Sequence, residues 1–284
     1  MDMRWSLDEL YTSFDSKEYQ LDLKKFDEQM ESFIQWTEEN LKSLEEPEEK
    51  ISDYLNRLME LSSLSSKLMA FPHLISSVEA KNEFALKYLD KLQVKYSEIT
   101  KPNVQFKNFI ASLDNFSEII NSSQLLKEHS FYLNEIKKDT QYLLSEKEEI
   151  LISKMKNTGS SAWTKLQNIL SSTLLVDIQI DGELKQIPLP VVRNMAYNKD
   201  KELRKKAYEA ELKSYNKIAE SSAAALNGIK GEVLTITEMK GYKSPLDETL
   251  SKSRMDKKTL NTMLSAIEEF LPIFHKYYRK KGEL

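Results

Sequence analysis

The chain has three histidines, His73, His129 and His275, and no cysteine. A hydrolytic zinc site of the short-motif kind needs His-Glu-x-x-His on one helix. That spacing puts two imidazoles on one metal and lets the glutamate act as base on the bound water. Here the histidines are followed by Leu74, Ser130 and Lys276, so the motif is absent. The residues three positions before them are Ala70, Leu126 and Pro272, so the Glu-x-x-His pair of di-iron bundles is absent too. Without cysteine there is no thiolate nucleophile and no disulfide. No Gly-x-Ser-x-Gly elbow, P-loop or dinucleotide fingerprint occurs. Adjacent acids such as Glu148-Glu149 and Glu268-Glu269 leave a helix on different sides and read as solvated charge. No catalytic, cofactor-binding or metal-ligating residue is assigned from this sequence, and each histidine reads as a packing or surface residue.

Composition narrows the partners. Charged residues make up 30% and hydrophobic ones 40%, the balance of a folded chain able to bury a large core. A net charge of -4 and a pI near 5.7 argue against a nucleic-acid surface. The basic run Arg204, Lys205, Lys206 is offset by Glu202, Glu209 and Glu211 on the same stretch. Residues 1–20 carry acids throughout and no apolar core, unlike a secretory signal, and no uncharged run approaches bilayer length. The expectation is a cytoplasmic protein with neither nucleic-acid nor membrane partners.

The elements that must position any site are helices. Six glycines and seven prolines leave few turn makers. The longest pattern runs from Asn198 to Gly241, with small or apolar residues at three- and four-residue steps: Leu203, Ala207, Ala210, Ser214, Ile218, Ser222, Ala225, Ile229, Val233 and Ile236. As a single helix it would be about 65 Å long. Gly228 and Gly231 each cost about 1 kcal/mol inside it, which close approach by a neighbouring helix would offset.

Upstream, Ser6 and Glu9 have the spacing of a capping box. An apolar stripe follows through Tyr19, Leu23, Phe26, Met30, Phe33, Thr37, Leu41 and Leu44, with Pro47 suited to the first turn of the next helix. That helix is expected to stop near Phe71-Pro72, and the one after it near Lys101-Pro102. Shorter helices are expected over 104–113, 123–137 and 146–157, the last behind a capping box of Ser145 and Glu148. Gly159 ends that helix, and Ser160 or Ser161 caps the next. The period then changes to two in LLVDIQI and ELKQIPL around Asp181-Gly182, a strong hairpin signal. Asp256 caps a last amphipathic helix, which Pro272 is expected to kink or interrupt.

The segments SAAALNGIKGE, KGYKSPLDETL and MDKKTLNTMLSAIEEFLPIFHKYYRKKGEL, with TGSSAWTKLQNILSSTLLVDIQIDGE before them, resemble the oligoendopeptidase F family of zinc metallopeptidases. The likeness runs from Trp5 to Leu284, is densest after Gly159, and corresponds to the front half of such an enzyme. The resemblance implies an all-α fold of mainly long helices with one small β-hairpin near residues 174–188, half of a clamshell-like helical peptidase. It also implies two regions. Residues 1–190 would be an amino-terminal helical region ending in the hairpin, and residues 191–284 the start of the catalytic domain, truncated before the zinc motif.

In the complete family enzyme, zinc held by two histidines and a glutamate activates water for cleavage of short peptides. No catalytic or zinc residue of the family carries over here, because no position matches those motifs. This chain is expected to supply a wall of the substrate channel, to bind no zinc and to be inactive alone, its partner being the missing carboxy-terminal catalytic half. The alternative is a non-catalytic helical protein-interaction module, with the Tyr19–Leu44 stripe and the last helix as partner surfaces.

Overall fold

In the computed structural model of the chain, residues 6–284 are described; Trp5, where the family likeness begins, lies outside them. The elements in order are α1 (Lys17–Asn40), α2 (Pro47–Val78), α3 (Glu83–Tyr96), α4 (Thr100–Ala111), α5 (Phe116–Ile120), α6 (Gln124–Glu128), α7 (Ser130–Asp139), α8 (Glu146–Thr158), α9 (Ser160–Thr173), β1 (Leu175–Ile180), β2 (Glu183–Pro188), α10 (Leu189–Asn194), α11 (Lys201–Ser214), α12 (Ala219–Met239), α13 (Pro245–Lys252) and α14 (Lys257–Glu283). The fold is all-α with one antiparallel hairpin among the described residues. Two compact units divide within α12, the first ending at Lys230 and the second being Gly231–Leu284.

In the first unit the stripe of α1 is buried from Tyr19 to Leu41, whereas Leu44, beyond the helix, is exposed. It packs with α2 and α4 into an aromatic-rich core. Tyr54 stacks on Phe106 with ring centroids 3.5 Å apart, and its hydroxyl donates to Asn103 Oδ1 at 2.6 Å. Ser6 accepts from the backbone of Asp8 in a turn, not in the expected capping box, while Ser145 and Glu148 do form theirs.

Both expected proline stops are displaced. Pro72 lies inside α2, which continues to Val78; the ring is buried next to Phe71, and packing outweighs the missing backbone hydrogen bond. Pro102 sits in the first turn of α4, where its lost N–H has no helical partner anyway.

The hairpin pairs Leu175 with Pro188 through Ile180 with Glu183. Asp181 and Gly182 have φ of 55° and 81°, the two left-handed positions of a tight hairpin turn. Val176 and Ile178 face inward onto a second small core with Leu174, Leu189, Val192 and Ala207.

That core also breaks the long helix expected over 198–241. Helix α11 ends at Ser214, a tight turn covers Tyr215–Lys217, and α12 begins at Ala219. The Ser214 hydroxyl bonds back to the Glu211 carbonyl at 2.7 Å, and Tyr215 and Ile218 pack on the hairpin core. Lys217 bonds Leu175 O at 2.8 Å and Asp177 Oδ2 at 2.7 Å. A tight turn preserves three-residue spacing, so the apolar pattern reads through the break.

In the second unit, α12 closes at Gly241, whose φ of 77° lets Tyr242 N reach Thr237 O at 3.1 Å. The buried Glu248 carboxylate accepts from the Thr237 hydroxyl and, at 2.5 Å, from Lys252 Nζ. Helix α14 runs uninterrupted through Pro272, and from Asn261 onward every residue is exposed. No described helix is long and apolar enough to cross a membrane.

Candidate functional site

Within the first unit, the C-terminal part of α2, the middle of α3, α9 and the start of α10 enclose a cleft of about 740 Å³. Each element brings one kind of group. Helix α2 contributes His73, Ser76 and Ser77; both hydroxyls donate to the His73 carbonyl, at 2.9 and 2.8 Å, and not to an imidazole. Helix α3 contributes Asp90 and Gln93 above an apolar floor of Leu86 and Leu89. Helix α9 presents a polar face at helical spacing: Ser160, Thr164, Asn168 and Ser172. Thr164 and Ser172 donate to the backbone carbonyls of Ser160 and Ile169.

Two cations line the cleft. Lys165 of α9 is clamped by both carboxylate oxygens of Asp90, at 2.9 and 2.7 Å. Arg193 of α10 donates through Nε to Glu211 Oε1 at 2.8 Å and through Nη2 to the Tyr215 hydroxyl at 2.6 Å. Tyr215 itself donates to the same Glu211 oxygen at 2.5 Å. The Tyr215 hydroxyl first, and Arg193 with it, hold the Glu211 carboxyl below its usual range against the opposing effect of desolvation. Glu211 and Tyr215 in turn raise Arg193 above its ordinary value. The guanidinium side chain stays 57% exposed. A shallower extension of about 640 Å³ shares Ala80 and Ser172 with the cleft and reaches Leu175 and Pro188 of the hairpin.

The histidines do not converge. His73 lines this cleft on α2; His129 precedes α7 with Nδ1 2.9 Å from Leu125 O; His275 is exposed on α14. Among the described residues, no group of three or more His, Cys, Asp or Glu could hold a metal ion. Ser76, Ser77, Thr164 and Ser172 present lone pairs, Leu86 and Leu89 add apolar surface, and Arg193 keeps the donors that Glu211 and Tyr215 do not take.

Sequence reasoning named His73 as a packing or surface residue, Ser160 as a helix cap and Glu211 as an offsetting charge, and did not join them into a site. The hydroxyl spacing on α9 was a legible signal, but Asp90 and Lys165 are 75 positions apart and only the fold joins them. The other expected feature, small residues on the 198–241 stretch making room for a neighbour, is found at one glycine. A Cβ on Gly228 would sit 2.8 Å from Cδ1 and Cε2 of Trp163, whereas Gly231 has nothing within 4 Å.

Comparison with known proteins gives this geometry a context. The Oligopeptidase F family profile matches residues 111–174, a span that includes all of α9. The chain is 26% identical over 273 residues to Oligopeptidase PepF of Bacillus subtilis (strain 168), covering 92% of this chain and 41% of that protein. It is 25% identical over 166 residues to an oligoendopeptidase F homolog of Borreliella burgdorferi, covering 55% of this chain and 26% of the relative. The chain therefore spans less than half the length of these curated relatives. Its fold is similar to the crystal structure of oligoendopeptidase-F from Enterococcus faecium, with a TM-score of 0.75 at 17% identity over 89% of this chain and 52% of that one. Across these comparisons the chain is similar to proteins of the oligoendopeptidase F family.

Proposed function

We propose that this chain is the amino-terminal part of an oligopeptide-cleaving zinc metalloendopeptidase, contributing a wall of the substrate channel and not the catalytic centre. One observation carries the reading: the likeness to PepF extends over 92% of this chain but 41% of that protein, and the sequence contains no His-Glu-x-x-His. In this reading residues 1–190 form the amino-terminal helical region, and residues 191–284 begin the catalytic domain. The enzyme works in the cytoplasm on short peptides, and neither nucleic acid nor membrane is a partner.

The residues of this chain do not fit a peptidase zinc. The three histidines stand on separate elements, and among the described residues no ligand group of the required size converges. Zinc belongs to the complete enzyme, on ligands outside this sequence. What this chain offers is a cleft whose hydroxyls, amides and apolar floor suit a peptide backbone.

The apolar side of α14 favours a second reading, a non-catalytic interaction module. Met263, Leu264, Ile267, Leu271 and Phe274 recur at helical spacing, each between 42% and 55% exposed. Mixing decides between the two. The chain alone is expected to hold no zinc by elemental analysis and to cleave no quenched fluorescent peptide; adding a separately produced carboxy-terminal half of the enzyme is expected to restore cleavage. One zinc per chain with turnover by the chain alone would overturn the proposal, as would a mixture that stays inactive.

A further inference from the structure

We infer that the cleft between α2, α3, α9 and α10 takes the carboxylate end of an extended peptide, with Arg193 as its anchor. The inference rests on the peptide-handling reading above and adds which end of the peptide this wall holds, and by what group.

Arginine carries five N–H donors in a planar fork. In Arg193 one is taken by Glu211 and one by the Tyr215 hydroxyl, and the pair fixes the plane of the group. Both Nη1 hydrogens and one on Nη2 remain, the edge that matches the two oxygens of a carboxylate. Glu211 does not line the cleft, so the carboxylate that orients Arg193 does not stand in the ligand's place.

The other cation is committed. Lys165 bonds both oxygens of Asp90, so the two cancel within the cleft wall. Arg193 is thus the charged group on this wall whose partner lies outside it.

The remaining wall suits a peptide more than a small anion. Ser76, Ser77, Thr164 and Ser172 spend their protons on backbone carbonyls of their own helices. What each can offer a ligand is a lone pair, which accepts from an N–H. A free phosphate brings mainly acceptors, which these four hydroxyls do not serve; a peptide brings an amide N–H at every residue. Leu86, Leu89 and Ile169 give its side chains an apolar surface. The cleft and its extension past Ala80 and Ser172 make room for several residues at about 3.3 Å each.

The test compares two forms of one peptide on the chain as it exists: an octapeptide with a fluorophore on its amino terminus, as the free acid and as the carboxy-terminal amide. Anisotropy titration is expected to show the acid binding about tenfold more tightly than the amide. Arg193→Gln is expected to bring the acid down to the level of the amide, and Arg193→Lys, which lacks the fork, to recover only part of the difference. Inorganic phosphate at millimolar concentration is expected not to displace the peptide. Equal binding of the two forms, no detectable binding of either, or displacement by phosphate would each overturn the inference, and the acid–amide comparison needs no variant to fold. If complementation fails while acid-selective binding holds, the peptidase reading falls and this inference stands; the reverse pattern sinks only the inference.

Discussion

The indole of Trp163 on α9 occupies the space that a side chain at Gly228 of α12 would need, its ring atoms Cδ1 and Cε2 lying 2.8 Å from where a Cβ would be. This contact explains why a helix former was not used at that position. Alanine in place of Gly228 would gain about 1 kcal/mol of helix propensity, but crowding the ring costs about 1–3 kcal/mol. Gly228→Ala is therefore expected to lower stability by about 1 kcal/mol. Gly231→Ala, with nothing within 4 Å, is expected to raise it by about the same amount. Urea unfolding of the two variants checks the opposite signs; two shifts of the same sign would show that the contact does not decide the matter.

At the hairpin turn, Gly182 has φ of 81° and open space around it. Gly182→Ala meets no neighbour, so its whole cost is the left-handed backbone, about 1–2 kcal/mol. Asp181→Asn is expected to be near neutral, since asparagine tolerates the same region. Thermal unfolding followed by circular dichroism separates the two; an alanine variant as stable as the parent would remove the turn argument.

In the large core, Tyr54→Phe keeps the stack on Phe106 and removes the hydroxyl that donates to Asn103. The expected loss is about 1 kcal/mol, the net worth of one hydrogen bond. Tyr54→Ala removes the ring as well, for an expected loss of about 3–5 kcal/mol. Denaturant midpoints for the pair measure how the residue's contribution divides between ring and hydroxyl.

Glu211 supplies a pH prediction. The Tyr215 hydroxyl and Arg193 hold its carboxyl below the usual value of 4.5 in the folded chain. The unfolded chain therefore takes up the proton first as pH falls. The stabilisation is fully present above about pH 4.5 and is lost as pH drops toward the folded-state value. Stability of the parent is expected to decline more steeply below pH 4.5 than that of Glu211→Gln, which has no such proton to take up. Urea titrations at pH 7, 5 and 3.5 test this, and parallel curves would show that the pair contributes nothing.

Local chemistry determined a large part of this protein from its sequence. The all-α class follows from three-and-four spacing over long stretches, and the hairpin from period-two strands around Asp181-Gly182. The start of α8 follows from a serine and a glutamate three residues apart, and the family likeness from motifs spread along the chain. These signals act within a few residues of one another and depend little on what packs against them. Tertiary structure decided the rest. Burial beside Phe71 carries α2 through Pro72, and the hairpin core turns one expected helix into α11 and α12 at Tyr215. The cleft exists because α2, α3, α9 and α10 meet, setting Asp90 beside Lys165 across 75 positions, and Arg193 is aimed by Glu211 and Tyr215 from a different helix and turn. Those outcomes were closed to sequence reading because a periodic pattern says which face of a helix is buried, not which helix buries it, and a binding site is made of the second kind of fact.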